Sequence, residues 1–313
     1  MSGVGPQWGM RARARPGWTS LPEQLRRRIE DGLGFRVDRW TAAETGFSPG
    51  FAGTIGSSDG GAAFVKTAHR PTTPKSAELH ATEARMLAAL PRTVVPELRW
   101  VLDDGEWVVL ALEVVSGRQP GGPWTDADLD AVLAATRELA TVDAPIRAPA
   151  EEFIHESPDP WASIADDDVI AAALPARVKS LLGALIDLET AAADASAGST
   201  LVHLDIRADN VLIDARGRAR LLDWPHAVVG SELLDLVLFA PSVPMGRGPS
   251  AADVARRYLG GAPLPSDILP LLVYWAGRLV WSAAQPEQPG LDGLRAFQRA
   301  QADAALDWMA ELF

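Results

Sequence analysis

Residues 201–213 read Leu-Val-His-Leu-Asp-Ile-Arg-Ala-Asp-Asn-Val-Leu-Ile. Two short strand-like segments, 201–203 and 211–213, flank a polar loop, and a third at 219–222 follows the turn sequence Asp214-Ala-Arg-Gly217. Segments of this kind bounded by turn residues predict strands. A strand, a tight polar loop, a strand, a turn and a strand ending in a carboxylate can aim Asp205, Asn210 and Asp223 at one point. Phosphoryl transfer needs such a set: a carboxylate to orient an acceptor hydroxyl and take its proton, and oxygen ligands for Mg²⁺.

The spacing is specific. His203-x-Asp205 with Asn210, and Asp223 thirteen residues after Asn210, fits the kinase pattern His-Arg-Asp-Leu-x-x-x-Asn followed by a metal-binding Asp. Leu204 stands in place of the Arg and Ile206 in place of the Leu. Asn210 is the single Asn in 313 residues, and only Lys66, Lys75 and Lys179 are Lys in a chain that otherwise uses Arg.

Upstream, residues 35–112 look β-rich with Gly punctuation. Strands are predicted at 37–45, 54–57, 62–67, 98–102 and 107–112, with a glycine-rich turn at 46–53 and hairpin signals at Ser58-Asp-Gly-Gly61 and Asp103-Asp-Gly105. One helix is predicted over 75–90, where Leu79, Glu83, Met86, Leu87 and Leu90 share a face. Glu83 therefore lies in an apolar stripe, where an unpaired carboxylate is costly. Ala63-Phe-Val-Lys66 matches the Val-Ala-Ile-Lys pattern, whose Lys pairs with nucleotide phosphates and a helix Glu. Before this region, Ser20 can cap a helix through Asp31 that ends at Gly32. After Gly117 the character is helical: a helix capped by Thr125 to about Thr141, a Pro- and acid-rich loop at 143–160, a long helix at 175–193, and helices from the β insert to Phe313.

These residues together resemble the aminoglycoside phosphotransferase family, the small-molecule branch of the protein-kinase-like fold. The resemblance rests on Thr45-Gly-Phe-Ser-Pro-Gly50, Phe64-Val-Lys66, Glu83, the His203–Asp205–Asn210 segment, Leu222-Asp-Trp-Pro-His226, Gly230 and Asp235, and spans about residues 35–240. It implies an α+β, two-lobed fold: an arm and short helix at 1–33, a small antiparallel sheet lobe with one main helix at 34–115, a hinge at 113–117, and a mostly helical lobe at 116–313 carrying the catalytic insert.

It also implies roles. Asp205 is the base, and Asn210 and Asp223 hold Mg²⁺. Lys66, fixed by Glu83, contacts the phosphates of ATP, with GTP an alternative. Ser48 and Gly50 of the turn cover those phosphates, and the backbone of Glu113 to Val115 meets the purine. Arg207 reaches the transferred phosphate or forms an ion pair. His203 and Asp235 brace the loop. The implied acceptor is a hydroxylated small molecule, first an aminoglycoside or other antibiotic, with sugar, choline-like, macrolide and nucleoside-like acceptors as alternatives. A nucleotide-binding pseudokinase is the rival reading. Trp224-Pro225 in place of Phe-Gly, and only eleven residues between Asp223 and Asp235, leave no room for a protein-kinase activation segment.

Composition sets the outer limits. The net charge of −12 argues against a nucleic-acid partner. The apolar stretch 268–284 is interrupted by Pro270 and Arg278 and predicts a buried helix, not a membrane span. Absence of Cys excludes thiolate chemistry and, with an N-terminus lacking an apolar leader, fits the cytoplasm. Most of the eleven Trp are read as packing residues, although Trp275, Trp281 and Trp308 border the acceptor site by resemblance. The clusters Asp126-Asp128-Asp130 and Asp166-Asp167-Asp168 are read as solvated helix starts. The sequence specifies no oligomeric state.

Overall fold

Alternation along residues 62–69 sends Ala63 and Val65 to one face of a sheet and Phe64, Lys66 and Ala68 to the other. That division decides where Lys66 goes. A computed structural model of the chain describes residues 15–44, 46, 49–287, 291 and 293–313. Its first sheet contains β1 (Arg39–Ala42), β2 (Ala52–Gly56), β3 (Ala62–His69), β4 (Leu98–Asp103) and β5 (Trp107–Leu112). The strands are antiparallel in the order β1-β2-β3-β5-β4, with Lys66 opposite Ala52 on one side and Leu110 on the other.

Two helices cover the two faces. α1 (Glu23–Leu33) lays Leu25 and Ile29, with Trp18 and Leu21, against Phe51, Ile55, Ala63, Val65, Val109 and Ala111. α2 (Pro74–Ala89) covers the opposite face, where Val108, Leu110 and Leu112 join the main core. β5 is thus buried on both faces, which explains its unbroken Val-Val-Leu-Ala-Leu run. Each fully buried aliphatic side chain of this kind contributes about 1.5–3 kcal/mol.

The helical part contains α3 (Asp126–Leu139), α4 (Ala150–His155), α5 (Pro160–Ala165), α6 (Asp168–Ala173), α7 (Ala176–Glu189), α8 (Ala192–Ser196), α9 (Leu233–Phe239), α10 (Ser242–Met245), α11 (Ala251–Tyr258), α12 (Ile268–Ala284) and α13 (Leu294–Ala310). Between α8 and α9 lie β6 (Thr200–Val202), β7 (Val211–Ile213), β8 (Ala219–Leu221) and β9 (Val228–Gly230). β7 pairs with β8, whereas β6 pairs with β9. α12 packs on α13, α5, α7 and α9. Gly277 lets Trp161 approach α12, and the indole N–H donates to the Val273 carbonyl at 2.7 Å. No helix among the described residues is long and apolar enough to cross a membrane.

Several local expectations need correction. α1 ends at Gly34, which takes the left-handed φ of 76°, and not at Gly32. Gly32 answers a different need: a Cβ there would lie 2.3 Å from the Trp100 ring. Ser20 sits in a 3-10 turn, Trp18–Ser20, and makes no cap to α1. The loop expected at 143–160 contains α4, and the helix expected at 175–193 ends at Glu189, with α8 following separately. Glu189 accepts the Trp161 and Ala162 N–H groups at 2.8 and 2.9 Å, so it caps α5. Asp128 is not solvated: it is buried and takes a bidentate bond from Arg118. Thr125 caps α3 as read, and Asp167 caps α6.

Candidate active site

The turn after β6 is built around a buried carboxylate. Asp235, on α9, accepts the N–H groups of His203 at 2.9 Å and Leu204 at 2.8 Å. Leu204 has a φ of 62°, unusual for a branched residue, and the paired hydrogen bonds hold it there. Burial raises the Asp235 pKa to about 6 against these two donors. His203 is buried, and burial lowers its pKa to about 4. Its Nδ1 accepts the Asp205 N–H at 3.2 Å, so the neutral ring carries its proton on Nε2, which donates to the Leu222 carbonyl at 3.0 Å. His203 thereby ties the Asp205 turn to the segment entering Asp223.

Asp205 is held from both sides. Its Oδ1 accepts from Arg207 Nη1 at 2.7 Å and its Oδ2 from Asn210 Nδ2 at 2.9 Å. Burial raises the Asp205 pKa to about 7, with the Arg207 charge opposing. Arg207 also bonds Asp209 at 3.0 and 3.1 Å and lies 5.2 Å from the Phe297 ring centre on α13. Of the two roles read for Arg207, the ion pair is the one the described geometry contains. The Asn210 amide nitrogen is committed to Asp205, which leaves the side-chain oxygen as its remaining donor atom for a cation.

The α2-facing side of β3 carries Lys66 to Glu83. The ammonium lies 2.8 Å from both Glu83 oxygens and 2.7 Å from Asp223 Oδ1. Burial alone would lower the Lys66 pKa; Asp223 and Glu83 outweigh it and raise the pKa. Burial pushes Asp223 up, but the Lys66 charge wins and holds it well below the usual carboxylate range. Asp223 has a φ of 68°, a conformation Asp tolerates better than most residues. Its Oδ2 has no hydrogen-bond partner among the described residues. Two oxygen donors, from Asn210 and Asp223, suit a hard cation such as Mg²⁺.

Lys66 and Asp223 close one end of a cleft of about 240 Å³. Thr54, Phe64, Leu212 and Leu222 supply much of its wall, and Pro96, Leu112, Glu113, Val114 and Val115 line the remainder. The Glu113 N–H bonds the Glu97 carbonyl at 2.9 Å, and the Glu113 carboxylate pairs with Arg220 at 3.3 Å. Among the described residues the Glu113 carbonyl and Val115 N–H keep no backbone partner, and both residues line the cleft.

Gly50 approaches the Thr67 backbone so closely that a Cβ would lie 1.8 Å from its carbonyl oxygen. Gly50→Ala is therefore expected to force the turn before β2 away from β3, costing about 1–3 kcal/mol. Urea unfolding would report this as a lower midpoint at unchanged slope. Thr45, Phe47 and Ser48 lie outside the described residues. Trp308 is core, and Trp275 stacks on Phe153 with ring centres 6.2 Å apart. Sequence reasoning missed Phe297, which follows no motif, and the Leu212–Leu222 part of the cleft wall.

The model of the phosphotransferase enzyme family matches residues 54–270. Among solved structures, a choline kinase from Streptococcus pneumoniae superposes with a TM-score of 0.59 at 14% identity, covering 92% of this chain and 100% of its own. A spectinomycin phosphotransferase in complex with ADP and spectinomycin gives 0.58 at 15% identity, covering 91% and 97%. A macrolide 2′-phosphotransferase from Brachybacterium faecium gives 0.54 at 20% identity, covering 91% and 98%. No curated protein matches by sequence.

Proposed function

The chain belongs to the phosphotransferase enzyme family of small-molecule kinases, and on that footing we propose that it transfers the γ-phosphoryl group of ATP to a hydroxyl of an aminoglycoside or other antibiotic. The observation that carries the reading is the pair of constellations: Asp205 bonded by Arg207 and Asn210, and Lys66 bonded to Glu83 and Asp223.

In this reading the purine lies in the cleft against Leu212 and Leu222 and bonds the backbone of Glu113 and Val115 at the 113–117 hinge between lobes 34–115 and 116–313. Lys66 contacts the phosphates, with Gly50 and Ser48 in the turn above them. Asn210 and Asp223 would hold Mg²⁺, which would neutralise phosphate charge when bound. The acceptor oxygen attacks the γ-phosphorus, its proton passes to Asp205, the bond to the β–γ bridging oxygen breaks, and ADP leaves. Alignment and electrostatic stabilisation dominate, since the protein forms no covalent intermediate. Arg207 orients Asp205 and meets the transferred group as charge builds.

Fold neighbours named for spectinomycin and macrolide phosphorylation support an antibiotic acceptor. A reaction that consumes ATP fits the cytoplasm. The test is a nucleotide-consumption screen with ATP and GTP across antibiotics, sugars and amino alcohols, with mass spectrometry of the acceptor. A mass gain of one phosphate on an antibiotic is the expected result. Phosphorylation of a sugar or choline-like compound alone would replace the acceptor assignment. Nucleotide binding with no product on any acceptor would favour the pseudokinase.

A further inference from the structure

The Lys66 constellation has the wrong sign for a polyphosphate. One ammonium faces two carboxylates, Glu83 and Asp223, and is within bonding distance of both. On the opposite side Arg207 is likewise shared by Asp205 and Asp209. Among the described residues each group sets one positive against two negative charges, so bringing in a nucleoside di- or triphosphate calls for a further positive charge from the protein or its cation.

The N-terminal arm supplies one. Trp18 is buried at 3% exposure and meets Phe51 edge-on, with ring centres 5.8 Å apart. Trp40 packs on the same Phe51 ring at 6.4 Å, and a Cβ at Gly17 would lie 2.6 Å from the Trp40 ring. The arm is therefore pressed onto the start of β2, directly after the glycine-rich turn. Three residues before Trp18, Arg15 reaches that turn. Its Nη1 makes a long bond of 3.4 Å to the Gly50 carbonyl, and its Nη2 lies 2.7 Å from where a Cβ on Gly46 would sit. The guanidinium thus lies beside both Gly46 and Gly50 of the turn.

A second observation locates this charge relative to Lys66. His80, on the face of α2 that covers the sheet, is 5% exposed, and its Nδ1 has no hydrogen-bond partner among the described residues. Burial holds its pKa down to about 3, and the charges of Lys66, Asp223 and Arg15 all act on it. The arm arginine and the phosphate-end lysine therefore act on one buried ring.

We propose that Arg15 is a phosphate-binding residue of the nucleotide site, clamping the β- and γ-phosphates from above the glycine-rich turn while Lys66 holds them from below. The proposal rests on the nucleotide reading of the cleft. It assigns the arm a role in substrate binding and explains why its Trp18 is anchored in the sheet core.

Calorimetric titration of wild type, Arg15→Ala and Arg15→Lys with ATP, ADP and adenosine in the presence of Mg²⁺ tests it. Loss of a charge-assisted phosphate contact should weaken ATP and ADP binding about 10- to 100-fold. Adenosine binding should be unchanged, and Arg15→Lys should recover part of the loss. Equal weakening of adenosine would show that the arm merely supports the fold and would overturn the proposal, as would unchanged ATP and ADP affinity. If wild type binds none of the three, the nucleotide reading itself fails; if wild type binds ATP and ADP and the arginine variants bind them equally well, that reading stands and this one falls.

Discussion

Asp205→Asn is expected to lower kcat by about 10²–10⁴-fold, the range for removing a positioned general base. The substitution keeps the size of the side chain and an oxygen able to accept the Asn210 amide, so the loop held by Asp235 and His203 should survive. Asp205 does not line the nucleotide cleft, and nucleotide affinity should therefore stay within about twofold of wild type, as a base located away from the purine requires. A pH profile gives an independent reading. Burial raises the Asp205 pKa to about 7, so the ionised, proton-accepting form dominates above that value and is lost below it. The wild-type rate should fall roughly tenfold per pH unit below 7 and level off above it. A variant that retained turnover on a confirmed acceptor would remove Asp205 from the mechanism.

Parts of this arrangement are legible in the sequence because chemistry fixes their spacing. His203, Asp205 and Asn210 fall on one turn, and the polar loop between two short strands is readable without long-range information. Lys66 is legible for a related reason: alternation along β3 and the helical stripe containing Glu83 each point inward, and only an ion pair relieves the second. Other features depend on contacts remote in sequence. Gly32 and Gly34 are equally good helix stops until Trp100 is seen to occupy the space a Cβ at residue 32 would need. β9 is three residues long and exists as a strand through its pairing with β6, so no periodicity announces it. Arg15 is one of several arm arginines in the sequence, and the docking of Trp18 on Phe51 distinguishes it. Phe297 reaches Arg207 across 90 residues of chain through the packing of α13 on α12.

Asp223→Ala should be as damaging as the base substitution, by a different route. It removes an oxygen donor beside Asn210 and half of the negative charge around Lys66. Loss of one such electrostatic element costs about 10²–10³ in kcat. Binding separates this from general damage, because two effects oppose each other. Without Mg²⁺, removing a carboxylate that faces the phosphate end should strengthen ATP binding, since less repulsion remains. With Mg²⁺, the variant should gain little, whereas wild type, whose Asp223 would help hold the cation, should bind more tightly. The curves of affinity against Mg²⁺ concentration should therefore cross. Asp223 also occupies a φ of 68°, which Ala tolerates less well, so Asp223→Asn serves as the companion variant that retains the backbone preference. If both variants bind ATP with the wild-type dependence on Mg²⁺, Asp223 is a structural partner of Lys66 and the cation is held elsewhere; if Asn retains only a fraction of the Mg²⁺ response and Ala none, the carboxylate charge itself is what the cation needs.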